Sequence, residues 1–197
     1  MDSKYNQVVV MGHGYDAVEG SQGMDRITGA TTTVDYEHHE IHGGSHFTLC
    51  GFDTIDEDET IDFVVTTPNT AKWAHMTLQA SGTTQLEFNV YRTPTVTGGT
   101  GTAQTPLNNN ENSSTASTLT ILRDPTITNA GTELPLASSS GLQAATPARA
   151  NSAGIIGRDR ELILRQNTTY LFRFTSRGDG NIVSFCGSWY EHTNKNT

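Results

Sequence analysis

"TTQLEFNVYR", residues 83–92, decides the fold class. Leu86, Phe88 and Val90 alternate with Gln85, Glu87 and Asn89. Successive side chains of a β-strand point to opposite faces, so a period of two over this length marks a half-buried strand. The pattern recurs along the chain. In "KWAHMTLQAS" (72–81) the apolar face is Ala74, Met76, Leu78 and Ala80. "TIDFVVTT" (60–67) directs Ile61, Phe63 and Val65 inward, and "TYLFRFTS" (169–176) does the same with Tyr170, Phe172 and Phe174. "NIVSFCGSWYEH" (181–192) sets Val183, Phe185 and Trp189 on one face. Shorter strands are predicted over 34–41, 45–52, 118–123 and 161–165. "TPNT" (67–70), "SGTT" (81–84) and "RGDGN" (177–181) supply Gly, Pro or Asn where the backbone reverses. Eight or nine short strands with tight turns imply an all-β protein, an antiparallel two-sheet β-sandwich, and among sandwiches a jelly roll.

Composition agrees. Threonine is the commonest of the 197 residues, and only 17% are charged. Hydroxyls and amides therefore carry the surface. The net charge is −9, and no Lys/Arg stripe is present. Phosphate contacts need clustered cations, so nucleic acid is an unsuitable partner, and an anionic membrane surface would repel the chain. No stretch approaches the ~20 apolar residues of a membrane span, and the start "MDSKYNQVVVMGHG" lacks the longer apolar core of a secretory signal. The two cysteines, Cys50 and Cys186, lie in apolar-rich segments and are expected to be buried, reduced thiols.

Residues 1–33 have no sustained periodicity and read as an extended N-terminal arm, ordered mainly by contact with something else. The β-sandwich domain is expected over 34–192, with 193–197 as a C-terminal tail. Two polar stretches interrupt it, "TPTVTGGTGTAQTPLNNNENSSTAST" (93–118) and "SSSGLQAATPARANSAG" (138–154). Neither can bury enough apolar area to offset its own ordering entropy, so both are expected as long loops that a partner orders.

Chemistry-bearing residue types are present without a catalytic pattern. "HHEIHGGSHF" (38–47) holds His38, His39, His42 and His46. A zinc-protease helix needs His-Glu-x-x-His, but His39-Glu40-Ile41-His42 is one residue short. Read as a strand, it puts His38, Glu40 and His42 on one face, and a metal would need a third ligand from His46 or elsewhere. The expectation is a surface strand ending in a glycine turn, with no metal. The acidic run "FDTIDEDETID" (52–62) carries Asp53, Asp56, Glu57, Asp58, Glu59 and Asp62. Counted from Asp56, the sixth position of a calcium loop is Ile61 rather than glycine, so a solvated turn is expected. "GHG" (12–14) and "GGTGT" (98–102) lack the strand-then-helix context of a phosphate cradle. His46 and Cys50 share a strand face but stand ~13 Å apart, too far for direct proton transfer. The sequons at Asn112 and Asn167 matter only in a secretory host.

The order of several features resembles a known family. "YEHHEIHGGSHFTLCG" opens the domain like an Ile-His-x-Gly-x-x-Phe start. "TIDFVVTTPNTAKWAHMTLQASG" followed by "QLEFNVYRTPTVTGGT" resembles two central strands and a glycine-rich exit. "LNNNENSSTASTLTILRDPTITNAGTEL" resembles a polar loop, an Asp-Pro strand and a Gly-Thr turn. "RELILRQNTTYLFRFTSRGDGNIVSFCGSWYE" resembles the closing strands with a terminal Trp-Tyr-Glu. Over residues 34–192 these are similar to the head decoration, auxiliary or cement proteins of tailed bacteriophages. Such proteins often carry Asn-x-Asn-Arg where this chain reads "NNNENSS", so no contact through that arginine carries over.

The resemblance implies a non-enzymatic virion protein, made in the host bacterial cytoplasm and located on the head surface. It would bind the major capsid protein and itself, as a homotrimer or homodimer. No cofactor, small-molecule substrate, nucleic acid or membrane is implied. Capsid contact is expected through the arm and the 93–118 loop, many weak contacts adding up by multivalency. A tail- or fibre-associated protein, or an adhesion module touching the host, is the alternative. The long loops lack Trp, Tyr and Phe, which weighs against sugar stacking. A polysaccharide hydrolase would need a convergent acid–base pair, and no pair stands out.

Overall fold

The computed structural model describes residues 36–140, 151–155 and 161–193. The chain divides into two units, Met1–His39 and Glu40–Thr197, and the sandwich lies in the second. The expected arm, the centre of the 138–154 stretch and the C-terminal tail beyond residue 193 fall outside the described residues. In chain order, α1 (Tyr36–His42) precedes β1 (His46–Ile55), β2 (Thr60–Thr66), β3 (Lys72–Gly82) and β4 (Leu86–Arg92). Then come β5 (Thr95–Val96), β6 (Thr102–Gln104), β7 (Leu107–Asn108), β8 (Thr120–Arg123), β9 (Ile127–Asn129) and β10 (Thr132–Glu133). The last are β11 (Ser138–Ser140), β12 (Asn151–Ile155), β13 (Leu162–Leu164), β14 (Thr169–Ser176) and β15 (Asn181–Thr193).

Two antiparallel sheets form the sandwich. One runs β12-β3-β15-β1-β7, with β13 also paired to β3. The other runs β10-β4-β14-β2-β8-β6, with β11 also paired to β4. β5 and β9 pair apart from both. The tight turns are therefore corners rather than hairpins: β1 to β2, β2 to β3, β3 to β4 and β14 to β15 each pass from one sheet to the other. Buried Asn181 pins two corners together. Its Oδ1 accepts the Thr84 N–H at 3.0 Å, and its amide donates to Ser176 Oγ at 3.0 Å.

The alternating residues form the core as their spacing predicts. Leu86, Phe88 and Val90 are fully buried, and Phe172 and Phe174 pack against Phe88 from the neighbouring strand. From the opposing sheet, Met76, Leu78, Val183, Phe185 and Trp189 join the same cluster. A residual apolar cavity of ≈ 20 Å³ lies between the layers, bordered by Phe63, Met76, Leu78 and Trp189.

Three expectations need correction. Residues 36–42 form a helix, not a strand. The glycines that suggested a strand ending in a turn instead terminate the helix. Gly44 takes φ 69° and donates to the Ile41 carbonyl at 3.0 Å, while Ser45 N–H donates to the Glu40 carbonyl at 3.0 Å. That is the paired closure of a Schellman motif, which satisfies carbonyls the last turn would leave open. A mostly polar heptad gives no periodicity that separates helix from strand.

The 93–118 stretch is ordered by this chain itself and carries β5, β6 and β7. β6 extends one sheet beyond β8, and β7 extends the other beyond β1. Side-chain amides replace apolar burial here. Asn108 Nδ2 donates to the carbonyls of Gly44 and Thr115, both at 2.9 Å, and Asn110 Nδ2 donates to the His42 carbonyl at 3.0 Å.

The cysteines are paired rather than free. Cys50 and Cys186 stand directly opposite each other on β1 and β15, with Cα atoms 4.0 Å apart, and form a disulfide. Cys50 is exposed rather than buried. No helix among the described residues is long and apolar enough to cross a membrane.

Two outcomes follow for stability. The crosslink spans 136 residues of sequence. Cys50→Ser with Cys186→Ser should lower the free energy of urea unfolding by about 2–5 kcal/mol while leaving the far-ultraviolet spectrum β-rich. At Gly44 an added Cβ would meet the Ser113 side chain in a left-handed backbone conformation. Gly44→Ala should cost about 1–2 kcal/mol from the backbone alone, and adding Ser113→Gly should restore only the steric part.

Candidate functional site

The outer face of the six-stranded sheet is set by the register of β15. Its odd-numbered residues from Asn181 to Glu191 point into the sandwich, so its even-numbered residues point out. Outward on β15, Tyr190, Ser188, Cys186, Ser184 and Ile182 stand opposite His46, Thr48, Cys50, Phe52 and Thr54 of β1. On the other flank, Tyr190 and His192 stand opposite His75 and Trp73 of β3. Ile163 stands opposite His75, and Leu107 opposite Thr48. Directly opposed residues share a face. Among the described residues, the large apolar side chains that stay exposed are Phe52 (75%), Leu107 (56%), Ile182 (49%), Ile163 (44%) and Trp73 (38%). All five project from this one face.

At one end of the face lies a polar aromatic cluster. The His75 ring stacks on Tyr190 with centroids 4.7 Å apart, and His192 stands 4.7 Å from His75. His75 Nδ1 lies 2.9 Å from Glu161 Oε1, which also accepts the Tyr190 hydroxyl at 3.0 Å. His75 Nε2 and His192 Nε2 are 2.9 Å apart. Behind the face, buried Glu191 closes β15 onto the end of the 93–118 stretch. Its carboxylate accepts from Ser117 Oγ, from the N–H and hydroxyl of Thr118, and from Trp189 Nε1 at 3.1 Å.

The residues singled out from the sequence are not gathered into this cluster. His38 and His42 lie four apart on α1, and His46 on β1 approaches Ser188 Oγ at 3.2 Å through Nε2. Among the described residues, no group of three or more His, Cys, Asp or Glu is arranged to hold a metal. Cys50 is in the disulfide.

The acidic run crosses the end of β1, the turn at 56–59 and the start of β2, and most of its carboxylates meet donors of the same chain. Glu59 accepts the Asp56 N–H at 2.9 Å, and Asp56 accepts the Gly180 N–H at 2.9 Å. Asp53 pairs with Arg123, and Asp58 pairs with Arg177. Asp62 is buried and takes a bidentate pair from Arg173 at 2.8 and 2.6 Å, which holds that guanidinium above its ordinary range. Asn112 lies in a turn of the 93–118 segment and Asn167 in the turn between β13 and β14.

His75, His192, Tyr190 and Glu161 escaped the sequence reading. Alternation does put His75 on the polar side of its strand. Nothing local says that His192, 117 residues later, would meet it.

No family model matches this chain, and no curated protein matches it.

One pH effect follows from the ion pairs. The Arg177 hydrogen bond at 2.8 Å holds Glu87 below its ordinary carboxylate range. Its stabilisation is present above the unfolded carboxylate pKa and is lost as pH falls through the lower folded value. Both partners are partly exposed, so the gain is at most about 1 kcal/mol. In Glu87→Gln, stability near neutrality should fall by that amount, the acid limb of the stability–pH curve should flatten, and the two proteins should converge at low pH.

Proposed function

We propose that this chain is a non-enzymatic structural protein of a tailed-phage virion that binds the outer surface of the capsid and braces the head. The observation that carries the reading is that exposed Phe52, Leu107, Ile182, Ile163 and Trp73 all project from one face of one sheet. Phe52 and Ile182 are diagonal neighbours across β1 and β15, and adjoining exposed apolar side chains mark an interaction surface. The patch lies on sheet rather than in a cleft, which suits a broad protein partner better than a small substrate. The strand orders β12-β3-β15-β1 in one sheet and β4-β14-β2 in the other support a jelly-roll reading of the sandwich. That architecture serves in viral capsid and lectin domains. Of the two contact segments expected from the sequence, residues 93–118 contribute Leu107 to the face, and the arm lies outside the described residues.

Self-association as a trimer or dimer belongs to the proposal, since repeated weak contacts on a lattice gain by multivalency. The alternative, a tail-fibre or adhesion protein touching the host, would use the same face for a different partner. The test is co-sedimentation with capsids assembled from the major capsid protein of the same virus. The wild-type chain should pellet at hundreds of copies per particle. Phe52→Asp with Ile182→Asp should abolish pelleting and leave the β-rich spectrum intact. Pelleting unaffected by these changes, or a handful of copies per particle, would refute the capsid assignment.

A further inference from the structure

We propose that the open edge of β1 is the self-association surface of this chain, where a second copy adds its own β1 antiparallel about a two-fold axis at Phe52. In an antiparallel ladder, alternate residues turn both N–H and C=O toward the same neighbouring strand. The Ser45 carbonyl accepts the Glu191 N–H at 2.9 Å, so the odd-numbered residues of β1 bond to β15. The His46 carbonyl accepts the Asn109 N–H at 2.9 Å, so the even-numbered residues bond on the other side. On that side β7 pairs only with Phe47 and Thr48, and residues 102–104 just before it belong to the other sheet as β6. Among the described residues, no strand pairs there with Leu49–Ile55. Cys50 and Phe52 direct both backbone groups to this edge, and Thr54 its carbonyl. The Thr54 N–H donates to Asp53 Oδ1 at 2.8 Å.

A bare strand edge is a template for another strand. The pattern of this one points to its own copy. Phe52 is the midpoint of the open stretch Leu49–Ile55. An antiparallel second copy centred there fills the stretch from end to end and stops short of β7. Phe52 then faces Phe52 of the second copy, and the two exchange both backbone hydrogen bonds. Cys50 faces Thr54 of the second copy, again with both residues turned to the shared edge. Gly51 faces Asp53, so each carboxylate, already paired with Arg123, meets a residue without a side chain. No like charges stand directly opposite, the arrangement a self-pairing edge requires.

The side chains agree with the backbone. Phe52 is 75% exposed, the most exposed large apolar residue among those described, and Ile182 is its diagonal neighbour on β15. A two-fold contact buries the same patch on both copies. Here it joins the two Phe52–Ile182 pairs into one apolar stripe across the axis. The pairing gives a place to the self-association in the proposed function, yet needs no capsid. It uses the edge of the sheet, so most of the outer face stays open to another partner.

The experiment is sedimentation velocity of the full chain alone over a concentration series, together with amide hydrogen exchange. The expected result is a monomer–dimer equilibrium in which the Cys50 and Phe52 amides become protected as the dimer fills. Phe52→Lys and Phe52→Glu should each weaken association about tenfold or more, because like charges then face each other across the axis. An equimolar mixture of the two variants should recover a dimer. A monomeric wild-type chain, a trimer, or a dimer that neither substitution weakens would overturn the proposal. So would protection of these amides in the dilute monomer, which would put another segment of the same chain on the edge. Protection that arises only with capsids would put a capsid strand there and overturn it as well. Exchange in the wild-type chain decides the matter even if a variant fails to fold. A monomeric chain that still pellets with capsids sinks this inference alone, and a dimer that does not pellet sinks the capsid reading alone.

Discussion

The register of β15 between β1 and β3 is the constraint on which everything else rests. This strand pairs with His46–Ile55 on one side and with Lys72–Gly82 on the other. Side chains alternate faces with a period of two, so a slip of one residue would turn Val183, Phe185 and Trp189 to solvent and Ser184 and Ser188 into the core. Three interactions exist only at the observed parity. The carboxylate of Glu191 is inside, where Ser117, Thr118 and Trp189 can donate to it. Cys186 faces Cys50. Tyr190 stacks on His75. Each reinforces the hydrophobic preference that sets the parity in the first place.

The energies rank these contributions. A fully buried Phe or Val stabilises by about 1.5–3 kcal/mol relative to exposure, and β4 and β14 alone bury Leu86, Phe88, Val90, Leu171, Phe172 and Phe174 completely. The hydrogen bonds that order the 93–118 stretch contribute about 0.5–1.5 kcal/mol each, and many are solvent-exposed. The apolar layer therefore decides the fold, and the asparagine-rich segment is fitted to its edges. That segment still has a structural effect. β6 covers the far edge of one sheet and β7 the start of β1 in the other, and short, polar edge strands discourage unplanned pairing with other chains.

The two faces of the six-stranded sheet carry different chemistry for the same geometric reason. The inner residues share a dry interior with the other sheet. The outer residues combine exposed apolar side chains, a row of hydroxyls on β1 and β15, and the His75–Tyr190–His192 cluster. The acidic excess of the chain is spent elsewhere: five of the six carboxylates between residues 53 and 62 accept hydrogen bonds from donors of the sandwich itself. The outer face is thus low in charge, as a surface that buries against another protein needs to be.

Much of this was legible in the chain before folding. The alternation in 60–67, 72–81, 83–92, 169–176 and 181–192 named the buried residues correctly, because strand periodicity is a local property of the backbone. The failures were of two kinds. Residues 36–42 and 93–118 order themselves through hydrogen bonds rather than apolar burial, so no hydrophobic period announced them. The disulfide, the Glu191 clamp and the His75–His192 contact join residues more than 70 positions apart. The sequence by itself determined which side of each strand is greasy and that two sheets must meet. Only the tertiary structure decided which strands lie side by side, and hence which outward-facing residues become neighbours, because pairing partners are chosen by the packing of the whole core.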